Sequence, residues 1–184
     1  MRIYVPATLD ELDSAVVTDS AARWTLAPRG AHAVTPALAE AFPDEDEEGL
    51  EYIAALEAAS DSLALIAARP DVPLQRVVVT VEVPDGVLSV PEAGEVDDDA
   101  VAPSAVEVTR EVADLAILAL HVDEPVAAGD VAAVLAAADE ENDAEEAGQV
   151  AAESETALDE ALQRVTDRDL LWYDWSEVHE VPRA

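Results

Sequence analysis

Apolar and polar positions change period several times along the chain, and each change predicts an element. Arg2 to Val5 places Ile3 and Val5 on one face of a short strand that Pro6 stops. Thr8-Leu9-Asp10-Glu11 has the makings of a capping box, because the Thr8 hydroxyl can accept from the Glu11 backbone while the Glu11 carboxylate reaches back. A helix is expected from there to about Val17, with Leu9, Leu12 and Val16 along one stripe. Trp24 to Gly30 is rich in turn residues, Ala31 to Val34 has the pattern of a second strand, and Thr35-Pro36 opens a short helix ending near Pro43. The acidic run Asp44 to Glu48 then precedes a long helix to about Arg69, with acids at its positive end, Arg69 at its negative end, and Tyr52, Leu56, Leu63 and Ile66 close to one side.

Gln75 to Val83 is the clearest strand: it is rich in β-branched residues and sets Val77, Val79, Val81 and Val83 on one face, which predicts a central position. Pro84 to Pro103 contains three prolines and two glycines and predicts an acidic loop or loose hairpin. Ser104 to Thr109 and Leu115 to Val122 are further strands; periodicity alone leaves a helix open for the second, and its bounded length favours a buried strand. Asp130 caps a helix bearing Val131, Val134, Leu135 and Ala138 on one face. Ten acids and no base lie between Asp139 and Glu160, so mobility from self-repulsion is expected within residues 139–156 before Leu158, Leu162 and Val165 restore an apolar stripe. Leu170 to Trp175 closes the series as a strand. Together these elements predict a single α+β domain over residues 1–184: a two-layer sandwich whose mixed sheet of five or six strands carries helices mainly on one face.

Composition narrows the chemistry. Across 184 residues, 42 acids face 9 bases, a formal net charge of −33, and 38 of the apolar residues are alanine. Leu, Ile, Val and Phe together number 48, enough for a real but thin core. There is no cysteine and no lysine, which removes thiol nucleophiles, thiolate metal sites, disulfides and Schiff-base chemistry. The six glycines are too dispersed for a dinucleotide turn, and no serine sits in a nucleophile elbow. No apolar leader or span is recognisable, so a soluble cytoplasmic chain is expected. The charge opposes binding to free nucleic acid or an anionic membrane and leaves another protein, or a second copy, as the expected partner. No cofactor is expected.

Four groups of residues are candidates for function. His121, Asp123 and Glu124, at the end of a buried strand, could act as an acid–base set, with His121 and Asp123 as metal ligands; the plainer reading is a turn into the next helix. Arg2, Arg23, Arg29 and Arg76 could gather as an anion pocket, against the plainer reading of internal ion pairs. Trp172, Tyr173 and Trp175 are either a partner-docking edge or anchors for a terminal strand in an alanine-rich core. The run Asp44 to Gly49 begins like a calcium loop but has Ala55 at the twelfth position, where a bidentate glutamate is required.

The segments Arg2-Ile3-Tyr4-Val5-Pro6-Ala7-Thr8-Leu9 and Ala33-Val34-Thr35-Pro36-Ala37-Leu38, the Glu51-Tyr52 pair, and Leu171-Trp172-Tyr173-Asp174 together resemble an uncharacterised family of single-domain actinobacterial proteins. The resemblance implies a cytoplasmic bacterial protein and transfers no catalytic residue, since no activity is assigned to that family. The reading favours a non-enzymatic binding or adaptor domain that engages a protein partner. The alternatives are a metal-assisted or general acid–base hydrolase around His121, Asp123 and Glu124, and a polyanion mimic that binds a basic protein.

Overall fold

The computed structural model describes residues 1–69, 71–91, 101–146 and 152–184. In chain order the strands and helices are β1 (Arg2–Ala7), β2 (Val16–Val17), β3 (Ala22–Leu26), β4 (Arg29–His32), α1 (Pro36–Ala41), α2 (Glu47–Ala67), β5 (Val77–Glu82), β6 (Leu88–Ser89), β7 (Ala105–Val108), β8 (Val112–Val122), α3 (Ala128–Glu146), α4 (Ala152–Thr166) and β9 (Leu171–Asp174). The fold is α+β, as the patterning predicts, but the sheet differs from expectation. It has nine strands rather than five or six, in the order β2-β3-β8-β5-β1-β4-β7-β6 with β9 also on β8. Every pairing is antiparallel, so the sheet is not mixed.

β5 lies between β1 and β8, the central place its sequence predicts. The extra strands β2, β3 and β6 come from segments of two to five residues, too short to establish a period of their own. Ala22-Arg23-Trp24-Thr25-Leu26 alternates buried and exposed positions and pairs with β8, where turns are expected from the sequence. The Thr8 capping box does form, but it closes a six-residue 3-10 turn, Leu9–Ser14, with Leu9 and Leu12 wholly buried. Val16 and Val17, expected at a helix end, are instead β2.

Two faces of the sheet bury different clusters. Ile3, Val5, Val77, Val79, Val81, Leu120 and Val122 join Trp24, Leu26, Leu9 and Leu12 on one side, where Val178 and Val181 from the C-terminal segment complete the core. Tyr4 and Val78 point to the other side and meet Leu38 of α1 and Leu50, Ala54 and Ala58 of α2. Three of the six buried residues of α2 are alanines, Ala54, Ala58 and Ala59, whose small side chains allow a helix to lie close to the strands. Ser62 fixes that approach: its hydroxyl donates to the Ala7 carbonyl at 2.7 Å and accepts from the Val77 N–H at 2.9 Å. Tyr52 and Leu56, expected with the apolar stripe, are exposed instead.

Residues 139–146 and 152–156, within the span expected to be mobile, are helical, because alanine and glutamate are strong helix formers even when like charges crowd together. Residues 147–151 of that span, and 92–100 of the expected acidic loop, lie outside the described residues.

Candidate functional site

β8 delivers His121 to the helix-covered side of the sheet, between Val78 of β5 and Trp172 of β9 in the register. Its Nδ1 is buried without a hydrogen-bond partner among the described residues, and burial holds the imidazole pKa below its ordinary 6.5. Asp123 lies just past the end of β8 and meets a different fate. Its Oδ2 accepts from the Arg76 backbone N–H and from Arg76 Nε, both at 2.9 Å, and its Oδ1 accepts from Arg76 Nη2 at 2.8 Å. Both side chains are almost wholly buried, so each neutralises the other. Glu124 is exposed. His121, Asp123 and Glu124 therefore do not converge as an acid–base or metal set, and no group of three or more His, Asp or Glu among the described residues is placed to hold a metal ion.

The four arginines are likewise dispersed. Arg2 donates to Glu51 at 2.7 Å, Arg29 to Glu11 at 2.8 Å, and Arg76 is held by Asp123, while Arg23 lies 4.0 Å from Asp114. Arg2 pairs with Glu82, whereas Arg76 precedes Val77 at the opposite end of the same two-strand ladder. No shared anion pocket forms among them.

One constellation is invisible in the sequence. His32 Nδ1 lies 2.7 Å from Ser104 Oγ, and its Nε2 lies 3.1 Å from Asp61 Oδ2. These are the residue types of a nucleophilic triad. Ser104, however, is completely buried and His32 is 4% exposed, so the array ties β4, α2 and the turn before β7 together instead of facing a substrate. Positions 32, 61 and 104 share no local motif that would disclose it.

The aromatic end divides between the two faces. Tyr173 and Trp175 pack against the main core, which is the anchoring role, whereas Trp172 is 60% exposed on the side that carries His121. Next to it, between the first half of α2 and the strands, opens a cleft of about 680 Å³. Its apolar lining comes from Tyr4, Tyr52, Ala55, Leu56 and Leu170 together with the His121 ring, and its acidic lining from Asp46, Glu48, Glu51 and Asp169. Asp46 is engaged as the α2 cap, accepting from the Gly49 N–H at 3.0 Å, and Glu51 is engaged by Arg2 and the Tyr4 hydroxyl. Burial, and then Glu51, push the Tyr4 pKa up to about 12, so the phenol stays protonated. Glu48 and Asp169 form no ion pair among the described residues. The expectation from sequence missed this cleft, because it arises where the exposed side of α2, one sheet face and the entry to β9 meet.

Fold and cleft together define an antiparallel α+β domain with an open, acid-lined groove on its helical side. The chain belongs to a family of unknown function, DUF6912, whose profile matches residues 1–181. That is the single uncharacterised family the resemblance implies; the match does not extend to an actinobacterial source. No curated protein and no solved structure matches the chain. Among the described residues no helix is long and apolar enough to cross a membrane.

Proposed function

We propose that this chain is a non-enzymatic binding domain that engages an extended, basic segment of a partner protein along β9, with Trp172 as the anchor. The observation that carries the reading is the exposure of Trp172 on a four-residue strand that pairs, among the described residues, only with β8. A large aromatic side chain left in water is the kind of residue that dominates binding energy when an interface closes over it. The unpaired outer edge of such a strand offers N–H and C=O groups to an added strand. Basic character in the partner follows from a charge of −33 and from the acids beside the strand, which would steer a cationic segment to this side. The hydrolase reading loses support because Asp123 is already occupied by Arg76.

The test is fluorescence anisotropy with two labelled peptides, one alternating arginine and valine, the other glutamate and valine. The basic peptide is expected to bind and the acidic one not, and Trp172→Ala is expected to weaken binding by about tenfold or more without altering the circular dichroism spectrum. Equal binding by the variant, or no binding of the basic peptide, would overturn the proposal.

A further inference from the structure

We infer that the cleft beside β9 is a pocket for a cationic side chain, lysine or arginine, of the partner segment. This inference rests on the reading that β9 receives that segment. It deepens that reading by assigning the cleft a ligand chemistry.

Three observations converge on it. Much of the lining is apolar and aromatic, supplied by Tyr4, Leu170, Tyr52 and Leu56, which suits the methylene stem of a long basic side chain, and aromatic rings favour a cation beside them. Glu48 and Asp169 stand in the lining on different structural elements, one in the first turn of α2 and the other in the link from α4 to β9, and neither has an ion-pair partner among the described residues. In a chain whose arginines are largely committed to other acids, two uncommitted carboxylates in one partly apolar lining are complementary to a cation arriving from outside. His121, the basic group in the lining, does not cancel them at neutral pH, because its burial favours the uncharged ring.

Size agrees with a peptide source. A volume of about 680 Å³ exceeds what one side chain fills and falls in the range of pockets that enclose a whole small ligand, so a cationic side chain and part of its neighbours can enter together. Trp172 lies next to His121 across the β8–β9 ladder, so a strand added at β9 and a side chain inserted in the cleft belong to one continuous surface.

Calorimetric titration with two blocked peptides tests this. They are identical except that the central arginine of one is citrulline in the other, which keeps the shape and removes the charge. The arginine peptide is expected to bind about tenfold or more tightly than the citrulline peptide. The double variant Glu48→Gln, Asp169→Asn is expected to abolish most of that preference while still binding the citrulline peptide as the parent does. Trp172→Ala is expected to weaken both peptides alike. Equal affinity of the two peptides for the parent, or a preference that survives the double variant, overturns the pocket while leaving β9 docking intact. If neither peptide binds even weakly, the docking reading itself fails.

Discussion

Asp123 and His121 are two positions apart and show how environment decides what an ionisable side chain does. Removing the Asp123 carboxylate strands the buried Arg76 guanidinium, so Asp123→Ala is expected to cost about 3–5 kcal/mol in urea unfolding, whereas Glu124→Ala, at an exposed position, is expected to stay within about 0.5 kcal/mol. A stable Asp123→Ala would show that the pair is not structural. His121 has its folded pKa depressed below 6.5, so the native state holds the neutral ring more strongly than the unfolded chain does. Its contribution is therefore fully present above pH 6.5, and stability is lost as pH falls below that value. Proton NMR titration of the ring should give a midpoint below 6.5, and His121→Gln should remove this share of the acid sensitivity; a midpoint at or above 6.5 would contradict the burial argument. The sequence identifies both residues as chemically interesting but not their roles. Arg76 becomes the neighbour of Asp123 only through the register that sets Val77 against Val122, and no local pattern encodes a pairing across that separation.

At the scale of elements, β9 and the segment after it have two duties that the sequence presents as one aromatic cluster. Val178 and Val181 are core residues, and the Gln75 side chain donates to the Pro182 carbonyl at 3.0 Å while accepting from the Ala184 N–H at 2.7 Å. Deleting residues 170–184 is therefore expected to abolish cooperative thermal unfolding, while Trp172→Ala leaves stability within about 0.5 kcal/mol; a truncated chain that still unfolds cooperatively would count against the anchoring role. The tie through His32 makes a parallel case. Ser104→Ala leaves a buried ring nitrogen unsatisfied and should cost about 1–3 kcal/mol in the same assay. Elements with long, strongly periodic or capped sequences were legible: β5, α2 and the helix opened by Thr35 stand close to where the pattern places them. β2, β3 and β6 are not, because a run of two to five residues is too short to show a period and becomes a strand only when a neighbour supplies the ladder. The inward face of α2 is hidden in the sequence for a different reason. Hydrophobicity ranks Tyr52 and Leu56 above Ala54 and Ala58, but close packing on a sheet rewards the smaller side chains.

For the whole molecule, a charge of −33 sets long-range repulsion against a modest core. Adding sodium chloride screens that repulsion, so the urea midpoint should rise with salt, while affinity for a basic peptide should fall over the same range because the steering field is screened too. A midpoint that falls with salt would mean that attractive ion pairs outweigh the excess of acid. Opposite salt responses of folding and binding are the signature of a surface whose charge serves recognition more than stability. The most direct test of the central claim is an amide-shift map of the uniformly ¹⁵N-labelled chain titrated with the arginine-containing peptide. Docking at β9 and its cleft predicts saturable shifts concentrated in residues 170–174, around His121 and in the first turns of α2. Shifts spread over the acidic surface at large, with β9 unchanged, would contradict it.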